Sequence, residues 1–529
     1  MTSVTAPAEP AGRTLDQLDE AARGRRFDEL QALMPDVWAL MRRDVADESV
    51  VVVPSLSRDD SDSTRTGTLN QAMEERSLFL LLLLRQPRLR MVYVTSMPIS
   101  ESIVEYYLGL LAGVIPRHAR RRLTLISVND GSPRSLSSKL LEHPRLLRQV
   151  GDLIPNREHC HLVGYNVTTD ERDVALSLGI PIYGCDPRLA ALGEKTGCRR
   201  LFEEVGIRYP IGVEDLHTAD ELVAALVEMR ATHPGMAEAI VKLNDGVSGQ
   251  GNAVVDLHGL PAPGAADERM LLADRVAHLA LESESLTRPA YFDLFERGGG
   301  IVEERITGRQ LLSPSVQLRV LPDGSVETLS THDQVLGGAS GQSYLGCVFP
   351  ADPAYSRMIA EDALPVAERL AELGVLGRFA IDFVVAEDEH GAWSSYAIEL
   401  NLRKGGTTHP FLTLQFLAGG AYDAEQGVFT TAGGDRKHLV ATDHLESASL
   451  KALREDDLFD IMVRHGLHFD HARQTGVVMH MISSLTELGR IGLTAVGNTA
   501  AHAMELHQQA EQVLIDEARS AAMDRPMVL

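Results

Sequence analysis

Between residues 50 and 185, short apolar runs alternate with longer stretches of helical periodicity. V-V-V-V-P, R-M-V-Y-V-T-S, R-L-T-L-I-S-V, C-H-L-V-G-Y and I-P-I-Y-G have the β-branched character of buried strands. Residues 69–86, 101–112 and 135–149, which lie between them, have helical spacing. This alternation predicts a parallel sheet covered by helices. No G-x-G-x-x-G follows the first run, so the dinucleotide fingerprint is missing. The apolar run Leu78 to Leu84 is too short to cross a bilayer and is expected to be a buried helix.

The pattern changes near Asp186. Two helices and a strand are predicted through Pro210, then a helix over 218–231 and a strand carrying Lys242. A glycine-rich loop, D-G-V-S-G-Q-G at 245–251, separates that strand from the next. Helices near 265–282 and 286–296 lead to the apolar strand G-G-G-I-V-E-E-R-I-T-G. Strands over 314–321 and 325–335 and a helix over 353–373 follow. The last hundred residues contain helix-like runs, one strand candidate at T-G-V-V-M-H-M-I and a helical stretch over 497–521. We expect a leader and helix at 1–45, a Rossmann-like unit at 46–185, a central domain at 186–420 and an appended α/β domain at 421–529. The appended domain could cover a site or pair two copies as a homodimer, and the pattern does not choose between these roles.

The most informative segments are G-R-F-A-I-D-F-V-V and S-Y-A-I-E-L-N-L-R, joined by the polar, glycine-containing A-E-D-E-H-G-A-W. Alternation along a strand sends Phe379, Ile381 and Phe383 to one face and Asp382 to the other. In the second segment it separates Ile398, Leu400 and Leu402 from Glu399, Asn401 and Arg403. A hairpin then gathers two carboxylates, an amide and a guanidinium on one surface. Hard oxygen ligands beside an arginine suit Mg²⁺ carrying a phosphate chain.

Composition narrows the classes. The chain has 529 residues, 44% of them hydrophobic and 23% charged, as expected of a soluble multidomain protein. A net charge of −24 argues against non-specific nucleic-acid binding, which needs clustered cations. The N-terminus lacks the basic start and apolar stretch of a secretory signal, and no segment is predicted to enter a membrane. Four cysteines without a C-x-x-C pair point to reduced thiols in the cytoplasm.

Three glycines in the 245–251 loop let backbone amides approach an anion, although a plain hairpin would also use them. Glu303 and Glu304 read equally as a solvated strand end or as part of a nucleotide hinge. Taken in order, Lys195, Lys242, the glycine loop, V-E-E-R-I-T-G and the acidic strand pair resemble the ATP-grasp superfamily over residues 185–410. S-T-H-D-Q-V-L-G-G, G-Q-S-Y-L-G-C-V-F-P, E-L-N-L-R-K-G-G-T-T-H-P and the tail G-V-V-M-H-M-I-S-S-L-T-E-L-G-R resemble the pheganomycin-type peptide ligases.

The resemblance implies an α/β architecture: a Rossmann-like domain, a two-lobed ATP-grasp domain and a C-terminal α/β domain. It implies ATP held by Lys195, Lys242, Gly246, Ser248, Gly249 and Gly251, with Glu303, Glu304 and the backbone through Ile306 at the adenine. Where many relatives carry an acidic ribose ligand, this chain has Arg309 and Gln310, leaving Gln310 as the hydroxyl partner. Asp382, Glu399 and Asn401 match the ligands of two Mg²⁺ ions, and Arg403 matches the phosphoryl-stabilising arginine. The implied reaction joins a small-molecule carboxylate to an amino-acid or peptide amine. A small-molecule kinase and a silent nucleotide binder are the alternatives.

Arg319, on the strand before the metal pair, is read equally as a substrate-orienting cation or a surface ion pair. His332, Asp333 and Gln334, Ser340 to Tyr344, and Gly405 to His409 are expected near the substrate. His465, His468, His471 and His480 drift around a helix rather than share a face, so no transition-metal site is expected from them.

Overall fold

The computed structural model describes residues 15–43, 47–57, 66–245, 251–283, 286–337 and 343–524. Strands Glu48–Val53, Leu89–Thr95, Leu123–Ser127 and Cys160–Gly164 form a four-stranded sheet in which every pairing is parallel. Its helices include Glu101–Gly109, Leu136–Leu141, Pro144–Asp152 and Thr169–Leu178. The stretch expected as one helix over 135–149 is two, the second entered through Pro144. The helix expected over 69–86 also divides, into an α-helix Gly67–Glu75 and a 3₁₀ segment Arg76–Arg85 that buries Leu78 to Leu82 and Leu84. I-P-I-Y-G is not a strand: it makes a single bridge, Leu162 to Ile182.

A second, five-stranded antiparallel sheet runs in the order Gly212–Leu216, Gly300–Glu304, Glu238–Leu243, Asn252–Asp256 and Ala280–Leu281. Helices Ala219–Thr232, Glu268–Ala277 and Arg288–Gly298 accompany it. The core here is self-contained, from Leu216 through Leu226, Val241 and Phe295 to Val302.

The third sheet has eleven strands. Gly377–Glu387 carries Trp393–Asn401 along one edge, and Gln310–Leu312 with Pro314–Val320 along the other. The sheet continues through Val326–Gly337 and Ser343–Phe349 into Arg436–Glu446, which pairs with Arg490–Gly497. Strand pairing therefore runs directly across residue 420, and the final hundred residues supply far more strand than periodicity suggests. The 25-residue helix Ala500–Asp524 packs over these last strands. One apolar core joins the N-terminal unit to them, from Val50, Leu81 and Tyr107 to Phe411, Met479 and Leu493.

Candidate active site

The site is built on the hairpin Gly377–Glu387 and Trp393–Asn401. Asp382 stands opposite Glu399, and Ala380 opposite Asn401. The pairing then slips by one residue beyond Asp382, so Ile398 is the extra residue of a bulge. The slip lies beyond the polar row and leaves Asp382, Glu399 and Asn401 on one face.

Burial, followed by the facing Glu399, pushes the Asp382 carboxyl up to about 6. Asn401 Nδ2 donates to Asp382 Oδ2 at 3.0 Å, and the Ser315 hydroxyl also bonds this carboxylate. Burial raises Glu399 as well, but Lys195 outweighs it and holds that carboxyl below its ordinary value. Lys195 Nζ lies 2.7 Å from Glu399 Oε1. Burial alone would lower the Lys195 ammonium; Glu399 reverses that and raises it. Two buried carboxylates facing each other, one of them raised by burial and then by the other, suit a divalent cation that relieves their repulsion. The oxygens of Asp382, Glu399 and Asn401 are the hard donors Mg²⁺ takes.

Lys195 opens the helix Lys195–Val205. The following Thr196 gives its backbone N–H and its hydroxyl to Asn244 Oδ1, at 3.1 and 2.7 Å. Asn244 Nδ2 donates in turn to the Gly298 carbonyl at 3.0 Å. Asn244 thus ties the Lys195 helix to the mouth of the glycine loop, a role no local motif announces. Gly246, Ser248 and Gly249 lie outside the described residues. The Gly251 carbonyl accepts from Leu243 N at 3.0 Å and from the Tyr291 hydroxyl at 3.3 Å.

Lys242 is buried and ion-paired with Glu303. Arg199 NH1 stands 3.5 Å from the second Glu303 oxygen. The Glu303 side chain is a counter-ion to these two cations. Glu304 is also occupied: its Oε1 accepts the Ile211 N–H at 3.0 Å. Ile306 is half-buried on the connection leaving that strand, and Gln310 is exposed on the short strand opposite Glu387. Arg309 beside it is ion-paired with Glu387.

Arg319 is not brought to the carboxylates. Its strand pairs Ser315 with Asp382, whereas Arg319 falls opposite Arg378, at the far end. The guanidinium donates to Glu327 Oε2 at 2.7 Å and lies over the Trp38 ring at 5.5 Å. Arg403 follows the hairpin, and its charge lowers both Asp382 and Glu399, behind the larger influences already named. Lys404 donates to the Gly164 carbonyl, and burial followed by Arg378 pushes its amine down to about 7. With Tyr165, Asn166 and Arg378 it lines a narrow cleft against the N-terminal sheet. His332 is a core residue, hydrogen-bonded to Ser330 at 2.9 Å with its ring against Phe349 and Phe411. Asp333 accepts from the Tyr355 hydroxyl at 2.7 Å; of the expected Ser340 to Tyr344 segment, residues 340–342 lie outside the described residues and Ser343 and Tyr344 open the strand Ser343–Phe349.

The IQCH-like ATP-grasp family matches residues 187–273 and 268–425, the span that carries this site. Over residues 187–425 the chain is similar to the ATP-grasp superfamily. The C-terminal domain family of PGM1 matches residues 457–510. The L-propargylglycine–L-glutamate ligase of Streptantibioticus cattleyicolor is 29% identical over 455 residues, covering 83% of this chain and 89% of that protein. IQ motif-containing protein H of Danio rerio is 25% identical over 362 residues, 60% of this chain but 34% of that longer protein. Among solved structures, the biotin carboxylase domain of the Hydrogenobacter thermophilus 2-oxoglutarate carboxylase, complexed with MgADP and bicarbonate, superposes with a TM-score of 0.52 at 13% identity. The match covers 89% of this chain and 94% of that one, and shows the ATP-grasp fold. Among the described residues no helix is long and apolar enough to cross a membrane.

Proposed function

We propose that the chain is an ATP-dependent carboxylate–amine ligase that forms a peptide (amide) bond through an acylphosphate, releasing ADP and phosphate, in specialised peptide biosynthesis. The observation that carries this reading is the opposed pair Asp382 and Glu399, with Asn401 and Arg403 beside it and the Lys195 ammonium on Glu399. Similarity to a curated ligase along most of both chains supports it.

Asp382, Glu399 and Asn401 would hold the Mg²⁺ ions, two in this reading, whose charge offsets that of the phosphates. Lys195 and Lys242 bring ammonium groups to the same chain from the helix and the five-stranded sheet. A substrate carboxylate oxygen attacks the γ-phosphorus, and the bond to the β–γ bridging oxygen breaks to release ADP. Arg403 presents a forked guanidinium to the transferring phosphoryl and the carboxylate. The amine nitrogen then attacks the acyl carbon, phosphate leaves with the bonding electrons, and the amine proton passes to solvent. Phosphoryl transfer depends mainly on alignment and charge compensation, so no nucleophilic side chain is required.

The test incubates purified protein with ATP, Mg²⁺ and pools of amino acids that include L-glutamate and L-propargylglycine. ADP, phosphate and new amide masses are followed together. A ligase makes ADP and amide in step. A phosphorylated product formed without any amine would make the chain a kinase, and absence of nucleotide binding would overturn the site itself.

A further inference from the structure

Behind Arg403 lies a second polar cluster, made of residues that are far apart in sequence. His409 begins the buried helix Thr408–Ala418, Asp443 lies on Arg436–Glu446, and His480 ends the strand Gly476–His480. All three side chains are buried, with relative exposures of 5%, 3% and 3%. His409 Nε2 is 3.0 Å from His480 Nε2, His480 Nε2 is 2.8 Å from Asp443 Oδ1, and His409 Nε2 is 3.3 Å from the same oxygen.

With Asp443 ionised against Arg76, no placement of protons on the two rings makes all three contacts hydrogen bonds. Protons on both Nε2 atoms oppose two N–H groups across 3.0 Å. A proton on only one leaves the other nitrogen's lone pair against Asp443 Oδ1. A cation at the centre satisfies all three, because each atom then directs a lone pair at one point. The spacing suits an ion: a point in the plane of the three atoms is about 1.8 Å from each, so a centre about 1 Å above it sits at zinc–ligand distances of roughly 2.0–2.1 Å.

We propose that His409, Asp443 and His480 form a binding site for one transition-metal dication of the zinc type, separate from the magnesium ligands Asp382, Glu399 and Asn401. Two imidazole nitrogens beside one carboxylate oxygen make an N/O donor set that zinc, cobalt and nickel accept and magnesium does not favour. Arg76 NH1 holds the second Asp443 oxygen at 2.6 Å, so the carboxylate is fixed as a one-oxygen ligand by an outer partner. Arg76 in turn lies over the Tyr165 ring, which lines the cleft beside Arg403. Gly492 faces His480 across the strand pair; a Cβ there would fall 2.0 Å from His480 Nε2, so the ring needs glycine at that position. Among the described residues no further His, Cys, Asp or Glu joins the group, which leaves a coordination position for water. The ion would pin the 405–409 segment, which follows the magnesium wall, to the C-terminal strands.

The full chain, purified without a polyhistidine tag and stripped with a chelator, is titrated with Zn²⁺ and with Co²⁺ in the presence of Mg²⁺. Bound metal is counted by mass spectrometry and cobalt geometry is read from visible absorption. One equivalent of Zn²⁺ per chain is expected, together with a Co²⁺ spectrum of low coordination number, both lost in Asp443→Asn and His480→Gln. Circular dichroism checks the fold of the variants, and the wild-type titration stands without them. A stripped wild-type protein that takes up no Zn²⁺ in molar excess overturns the site. So does Zn²⁺ uptake that is equal in wild type and both variants.

Discussion

Glu303→Gln separates structural charge pairing from nucleotide binding. Glu303 sits between Lys242 and Arg199, and the Lys242 and Glu303 side chains are 7% and 3% exposed. Two unit charges about 4 Å apart at an effective dielectric of about 20 attract by about 4 kcal/mol. Removing one partner of a buried pair costs roughly 3–5 kcal/mol, because the other charge stays buried. Glutamine keeps an oxygen that still accepts from Lys242, which brings the loss to about 2–3 kcal/mol. Arg199 retains Glu214 at 3.2 Å, so Lys242 bears most of the change. A bound phosphate chain would restore an anion to Lys242. The variant should therefore melt several degrees below wild type without nucleotide, and saturating MgADP should close more than half of that gap. Thermal unfolding followed by circular dichroism, with and without MgADP, measures both. An equal deficit in the two conditions would mean that Lys242 does not meet phosphate. No deficit at all would refute the claim that the pair is structural.

Three further outcomes follow from the same geometry. Glu399→Gln should lower Mg²⁺-dependent ADP formation by about 10²-fold or more with an unchanged circular dichroism spectrum, and full turnover would remove Glu399 from the site. Arg319→Ala, which removes the Glu327 pair and the Trp38 contact, should lower the melting temperature while turnover stays within about twofold; a collapse of turnover in folded protein would restore Arg319 to the chemistry. Burial and Arg378 hold Lys404 at about 7 in the folded protein, against about 10.4 unfolded, so the cost of charging it is fully present below pH 7 and is released as pH rises toward 10. Lys404→Met should then gain stability relative to wild type at about pH 6 and lose that advantage by about pH 10; denaturant unfolding at both values checks the sign, and an advantage growing with pH would contradict it.

The acidic hairpin was legible because side-chain alternation is a local property, and the one bulge, at Ile398, falls just outside the polar row. The parallel sheet was legible for the same reason: each strand is a short apolar run. Arg319 shows where alternation runs out. It shares a face with Ser315, but four residues of strand carry it about 13 Å along the sheet, and a face says nothing of distance. The ion pairs of Glu303 were hidden for a different reason, since Lys242 and Arg199 come from other elements. The C-terminal strands were hidden because their partners are remote, as in His438 opposite Gly497, and Arg490–Gly497 is buried on both faces, which erases its period. His409 and His480 lie 71 residues apart, and only the folded sheet brings them together.

Three consecutive charged residues explain how the site is held. Glu74, Glu75 and Arg76 are all buried, and each bonds a different part of the chain. Glu74 accepts from Ser96 N at 2.7 Å and from its hydroxyl at 2.6 Å, within the N-terminal unit. Glu75 accepts from Ile482 N and Ser483 N, and Arg76 donates to Asp443. Burial pushes both glutamates up to about 7, a cost borne only where the fold fixes their donors. This turn therefore locks the N-terminal sheet to the C-terminal strands, and the two share one apolar core. Asp382 and Glu399 stand on the same eleven-stranded sheet, with Arg403 two residues past its strand, and so belong to that fixed body. The five-stranded lobe has its own core, whereas the Lys195 helix sends Cys198, Leu201 and Phe202 into the core beneath the acidic hairpin and bonds the lobe through Asn244. The carboxylate wall stays where both ends of the chain hold it.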